Sequence, residues 1–145
     1  MLIIRDAKLT DAPALAALMC ELGYRTTPVK MRQRLKPILC DVRYRTLVAE
    51  VEGKVCGMIG MLAYPSYEHD DLSGRILALV TLPTARRCGI GRALIASAEK
   101  AFAQKAVTRV SLDTRLTRKN AHKFYESLGY ERNGWRFAKQ LRESD

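Results

Sequence analysis

Apolar and polar positions change period several times along this chain, and each change marks an element. Leu2, Ile3 and Ile4 precede Arg5 and Asp6, which suits a short strand over residues 2–5. Leu15, Leu18, Met19 and Leu22 then recur at helical spacing, with Thr10 read as the cap and Asp11 in the first turn. Gly23 stops that helix. Thr27-Pro28 repeats the start signal, a cap residue with proline at the first helical position. Val29, Leu35, Ile38 and Leu39 are candidates for the buried side of this second helix. Lys30, Arg32, Arg34 and Lys36 form its wet side, and Pro37 is expected to shorten or kink it.

Two apolar runs, 46–51 and 55–62, flank Glu52-Gly53-Lys54 as a hairpin with a glycine-bearing turn. Residues 64–74 are polar and turn-rich. A continuous apolar run at 76–82 reads as a buried strand ended by Pro83. Ile90, Leu94, Ala98 and Phe102 repeat every four residues, predicting a helix from 89 to 105. Residues 108–113 read as a strand, 120–128 as a helix ended by Gly129, and the alternation over 135–141 as a last strand. The predicted order is β-α-α-β-β-β-α-β-α-β. Strand 76–82, the helix after it and strand 108–113 form a right-handed crossover, so those two strands run parallel. The fold class is therefore α/β (α+β), a mixed, mostly antiparallel sheet with helices on both faces.

At 145 residues the chain has the length of one domain with a buried core. Its apolar start is cut off too early for a signal peptide, and no apolar run approaches the ~18 residues of a membrane helix. Cys20, Cys40, Cys56 and Cys88 show no C-x-x-C pair, so structural zinc is not expected and no metal is assigned. A reducing, cytoplasmic setting is the simplest reading. Cys20 and Cys56 sit in apolar patterns and read as inert core, whereas Cys88 reads as exposed. The net charge of +10 raises nucleic acid as a partner. The cations are spread without a dense tract, however, and no recognition-helix or RNA-binding signature accompanies them, so nucleic acid is not expected.

The segment following the 76–82 strand carries the chemistry. Arg86-Arg87-Cys88-Gly89-Ile90-Gly91-Arg92 opens an amphipathic helix, exposing glycine main-chain amides among arginines. Free amides and the positive end of the helix dipole make such a start a site for a polyanion. The pattern is not G-x-x-x-x-G-K-S/T, and it lacks both the third glycine and the later acid of a dinucleotide loop. Arg86, Gly89 and Gly91 instead make Arg-x-x-Gly-x-Gly, which resembles the pyrophosphate loop of the GNAT family of N-acetyltransferases. Downstream, Asn120-Ala121-His122-Lys123-Phe124-Tyr125-Glu126-Ser127-Leu128-Gly129-Tyr130 resembles that family's N-A-x-x-F-Y-x-x-x-G-F/Y segment.

The resemblance covers almost the whole chain. It implies the acyl-CoA N-acyltransferase fold, with residues 1–145 as a single N-acetyltransferase domain and acetyl-CoA as cosubstrate. It also implies that the diphosphate sits on Arg86, Arg87, Cys88, Gly89, Ile90, Gly91 and Arg92. The pantetheine arm would lie between the two parallel strands, beside Leu79 and with Val80 and Leu82 as main-chain partners. Asn120, Phe124 and Tyr125 would face the thioester end, Phe124 as core and Tyr125 as general acid. A phenol of ordinary pKa ~10 can protonate a departing thiolate of pKa ~8.5 at neutral pH. An alkyl ammonium of pKa ~10.4 must also lose a proton before it attacks. Many relatives carry a glutamate on the strand before the loop, and this chain has no carboxylate from Arg75 to Val80. Glu68, His69, Asp70, Asp71 and Asp113 are the candidates, with His69 taken as the base because imidazole titrates near neutrality.

Residues 47–61, 83–86 and the closing 122–139 segment further resemble bacterial aminoalkylphosphonate N-acetyltransferases. That implies a small primary amine bearing an anionic group, for which Arg75, Arg115 and Arg118 are candidate partners. A protein N-terminus, a charged tRNA, or a non-catalytic acyl-CoA-binding module are the alternatives. The resemblance also allows a homodimer.

Overall fold

The computed structural model describes residues 1–86, 88–114 and 119–142. The chain divides into two compact units, Met1–Leu112 and Asp113–Asp145. In the first unit, strand β1 (Leu2–Asp6) leads through a 3-10 turn at Leu9–Asp11 into helix α1 (Ala12–Leu22) and helix α2 (Pro28–Cys40). Strands β2 (Tyr44–Val51), β3 (Lys54–Tyr64) and β4 (Ser73–Thr81) follow, then a 3-10 turn at Pro83–Ala85, helix α3 (Ile90–Gln104) and strand β5 (Val110–Ser111). The sheet order is β1-β2-β3-β4-β5, antiparallel except for the parallel β4–β5 pair. This is the mixed, mostly antiparallel sheet that the sequence predicts.

Helices cover both faces. Leu15 and Leu18 of α1 and Met31 and Leu35 of α2 pack on Val48, Met58 and Val80, which the strand register aligns on one face. On the other face α3 buries Ile90, Leu94, Ala98 and Phe102, the four positions of the predicted stripe. Gly57 admits α3 closely there, since a Cβ on it would lie 3.1 Å from Ile90 and 3.3 Å from Leu94.

Local signals are followed in outline, with corrections. Asp11, not Thr10, stands at the N-cap position of α1, but its side chain does not bond that helix; it is taken by a bidentate pair with Arg5 at 2.9 Å and by the Lys8 amide at 2.8 Å. The Arg5 hydrogen bonds hold its carboxyl below the usual range. Thr27 caps α2 by accepting from the Lys30 amide at 3.2 Å. Val29 is exposed and Met31 takes the inward position, one turn before Leu35. Pro37 does not shorten α2, since Gln33 and Pro37 both lie on its exposed side, where water can take the freed carbonyl. Cys56 is buried, and burial pushes its thiol pKa up; Cys20, expected in the core, is exposed near the end of α1.

Strand β4 departs most from the expectation of a uniformly buried run. It begins at Ser73, and its register against β3 slips so that Gly60 pairs with Ala78 but Met61 with Ile76. Leu77 is the extra residue of a β-bulge. It is 47% exposed, and it breaks the alternation so that Ala78 and Val80 both turn toward α1. The β4–β5 ladder has only two rungs, Gly74–Val110 and Arg75–Ser111, instead of the six-residue strand expected at 108–113. It ends just before the bulge, which bends β4 away.

In the second unit, helix α4 (Lys119–Ser127) ends at Gly129, whose φ is +91°. Residues 135–142 form no strand, contrary to the expected last strand, and Trp135, Phe137 and Leu141 are exposed. Alternation needs a neighbouring strand to become a ladder, and the described residues supply none there.

Candidate active site

In the first unit, β4 runs into a loop that turns at Pro83–Ala85 and enters α3. Gly89 caps α3 at φ +77°, a left-handed conformation that costs an L-residue strain. The Ala93 amide makes the first helical bond, to the Gly89 carbonyl at 3.0 Å. The amides of the first turn, Ile90 to Arg92, therefore lie beyond the reach of intrahelical acceptors. No acidic residue occupies that turn. Cys88, Gly89 and Arg92 are exposed, and Ile90 is buried as the first core anchor of α3. Arg87, Arg115 and Arg118 lie outside the described residues.

Arg86 is turned toward α1, where Glu21 accepts from its Nη2 at 2.9 Å. Nothing in local sequence points to that pair, because 65 residues separate the two.

The main-chain geometry of β4 relocates the groups expected to meet a pantetheine arm. The Leu82 amide donates to the Cys56 carbonyl at 2.8 Å, across the Thr81–Gly57 pair. Antiparallel pairing alternates, so Leu82 and Val80 spend their main-chain groups on β3, while Thr81 and Leu79 turn theirs to the opposite edge. Val80 and Leu82 are thus not available as main-chain partners; Leu79 and Thr81 are. Beyond Arg75, β5 no longer pairs with that edge. An extended ligand chain can hydrogen-bond to such an edge.

His69 lies exposed in the loop before β4, at the opposite end of that strand from the α3 start. Glu68 and Asp70 share the loop and are exposed. Asp71 is committed elsewhere. Its carboxylate accepts from the Thr108 hydroxyl at 2.6 Å and from Arg109 at 2.9 Å. The Thr108 bond first, then Arg109, hold its pKa down to about 2, which makes it a poor proton acceptor at neutral pH.

In the second unit, α4 carries Asn120 exposed near its start, and Phe124 and Tyr125 half-buried, so Phe124 is not a fully buried core residue. Edge-to-face contacts join Tyr125 to Phe124 at 5.4 Å and to Tyr130 at 6.1 Å between ring centres. The helix closes with Tyr130 donating its amide to the Tyr125 carbonyl at 3.1 Å, which fixes the backbone beneath that phenol. Asp113 lies 3.8 Å from Arg136. Among the described residues no cluster of His, Cys, Asp or Glu is placed to hold a metal, and no helix is long and apolar enough to cross a membrane.

The model of the acetyltransferase (GNAT) family matches residues 13–130. An aminoalkylphosphonate N-acetyltransferase from Salmonella typhimurium is 32% identical over 139 residues, covering 95% of this chain and 90% of that protein. A GNAT family acetyltransferase from Staphylococcus aureus superposes with a TM-score of 0.82 at 29% identity, over 97% of this chain and 98% of its own. A transcriptional regulator from Bacillus halodurans reaches a TM-score of 0.90 at 22% identity, over 97% and 100% of the two chains, a likeness of fold alone.

Proposed function

This chain belongs to the acetyltransferase (GNAT) family, as an N-acetyltransferase, and from that premise we propose that it moves the acetyl group of acetyl-CoA to the primary amine of a small molecule. Residues 1–145 would work as one N-acetyltransferase domain. The observation that carries the reading is the α3 start, capped by Gly89 at φ +77° and free of acids, directly continuous with a β4 edge that β5 pairs only as far as Arg75 among the described residues. Main-chain amides from Cys88 to Arg92, with Arg86 and Arg87 beside them, hold the diphosphate. Leu79 and Thr81 pair with the amides of the arm in the manner of an added strand.

The amine attacks the thioester carbonyl directly, forming the new C–N bond as the C–S bond breaks. Tyr125 protonates the departing thiolate, the role that the family's motif gives it, and Asn120 and Phe124 belong to the same motif. The proton lost by the ammonium goes to His69, since Asp71 is tied to Thr108 and Arg109. The name of the Salmonella relative and the net charge of +10 both favour an acceptor with an anionic group, such as an aminoalkylphosphonate.

The test is thiol release from acetyl-CoA with aminoethylphosphonate as acceptor, for the wild type and Tyr125→Phe. Tyr125→Phe should keep its acetyl-CoA affinity and lose turnover by about 100-fold. Unchanged turnover would remove Tyr125 from the acid role. Absence of thiol release by the wild type with phosphonates, polyamines, aminoglycosides and N-terminal peptides alike would sink the catalytic reading.

A further inference from the structure

We propose that the outward face of α2 is a docking surface for a membrane rich in anionic lipid. The inference goes beyond acetyl transfer and stands independently of it.

Half of the net charge of +10 stands in one stretch. From Leu22 to Cys40 the chain has five cations, Arg25, Lys30, Arg32, Arg34 and Lys36, and no acid. Their spacing along the sequence disguises the cluster, and the helix gathers it. Met31 and Leu35 are buried, so at 3.6 residues per turn Val29, Gln33, Pro37 and Cys40 form the exposed midline. Lys30 and Arg34 line one flank of that row, and Arg32 and Lys36 the other. All four cations are exposed, and none forms an ion pair among the described residues. The acids at the helix borders are engaged elsewhere, Glu21 with Arg86 at 2.9 Å and Asp41 with Arg43 at 2.8 Å.

These charges stand where the helix itself disfavours them. Lys30–Arg34 and Arg32–Lys36 are like-charged pairs one turn apart, which repel. Lys30 lies in the first turn, against the positive end of the helix dipole. The last turn, where a cation would be favoured, has none. Solubility alone is served as well by interspersed acids. An external anion supplies the missing partner. Since α2 is about 20 Å long and carries cations on both flanks, that anion must be an extended one.

The midline selects among polyanions. Val29 is 68% exposed, and Tyr24 and Val42, exposed by 53% and 86%, stand in the segments at the two ends of α2. A nucleic acid rewards hydrogen-bonding groups that face it, and the side chains of Val29 and Pro37 offer none. Anionic headgroups instead take the flanking cations while shallow apolar side chains enter the acyl boundary. Helices that lie on a membrane without crossing it bind in this manner.

Flotation of the full chain with vesicles tests this, using phosphatidylcholine alone or mixed in equal parts with phosphatidylglycerol. The wild type should bind the mixed vesicles at least about tenfold more tightly, with the gain lost at high salt. Each cation near such a surface contributes roughly fivefold to partitioning, so Lys30→Gln/Arg34→Gln should bind roughly 10- to 30-fold more weakly. Glutamine keeps helix propensity and removes repulsion, so this variant should melt no lower than the wild type. Lys54→Gln, in the β2–β3 turn, lowers the net charge as Lys30→Gln does and should leave vesicle binding unchanged. Val29→Ser should weaken vesicle binding about threefold or more. Unaltered binding by the double variant, equal losses in Lys54→Gln and Lys30→Gln, or equal binding to both vesicle types overturns the proposal. Single-stranded RNA held more tightly than the mixed vesicles, and unaffected by Val29→Ser, would give this face to nucleic acid and overturn it too.

Discussion

Replacing Gly89 with alanine separates the strain of a left-handed backbone from the loss of an anion site, because the fold contains its own control. Gly89 and Gly53 share φ +77°, and a Cβ at either would meet nothing within 4 Å. Neither substitution causes a clash, so both should carry the same backbone penalty, about 1–2 kcal/mol for a non-glycine residue in this region. For a chain of this size that corresponds to a fall in Tm of about 3–8 °C in each variant. Only Gly89 sits at the head of α3. If alanine relaxes there to negative φ, the Ile90 and Gly91 amides swing off the diphosphate. Loss of one charge-assisted hydrogen bond, about 1.5–3 kcal/mol, weakens CoA binding by roughly 10- to 150-fold. Gly53→Ala, in the hairpin turn between β2 and β3, should bind CoA like the wild type. Thermal unfolding gives the first quantity and calorimetry with CoA the second. Equal CoA affinity in Gly89→Ala and Gly53→Ala, with a smaller loss of Tm in Gly89→Ala because its backbone has relaxed, would show that this helix start does not hold the anion. No loss of Tm in either would refute the backbone argument.

Glu21→Gln frees Arg86 from an exposed ion pair that a diphosphate must otherwise displace. CoA affinity should rise by roughly 1.5- to 5-fold at low salt, with the gain vanishing at high salt. Unchanged or weaker binding would mean that Arg86 does not turn to the ligand. Asp11 governs an acid limit to stability. Arg5 depresses its pKa in the folded state, so its contribution is complete above the unfolded value near ~3.9 and is lost as pH falls below it through the folded value. The stability gap between wild type and Asp11→Asn, about 1–3 kcal/mol, should be flat from neutrality to about pH 5 and shrink by about pH 3 in urea unfolding. A gap unchanged between those two values would refute the assignment.

Much of this fold is written locally. Thr27-Pro28 starts α2, Gly23 and Gly129 end helices, and the four-residue repeat from Ile90 to Phe102 places α3 on its face of the sheet. The glycine–arginine loop and the Asn120–Tyr130 segment were legible for the same reason, since short-range pattern specifies both. Where reading failed, a distant partner had intervened. Asp11, not Thr10, stands at the N-cap position of α1, and its carboxylate goes to Arg5 of β1 instead of to the helix. The apolar run at 76–82 gave no sign of the Leu77 bulge, which arises only when β4 takes its register on β3. The alternation at 135–141 looked like a strand and found no ladder.

By itself, the sequence determined the element order as far as α4, the inward stripe of α3 and that helix's acid-free start at Gly89. These depend on dihedral preferences, caps and periodicities acting over a few residues. Tertiary structure alone decided that Leu79 and Thr81, and not Val80 and Leu82, turn main-chain groups away from β3, because that choice follows the pairing register. It also decided that Arg86 meets Glu21 and that Asp71 braces Thr108, pairs separated by 65 and 37 residues. No local propensity encodes such partners; they exist only once packing has brought the segments together.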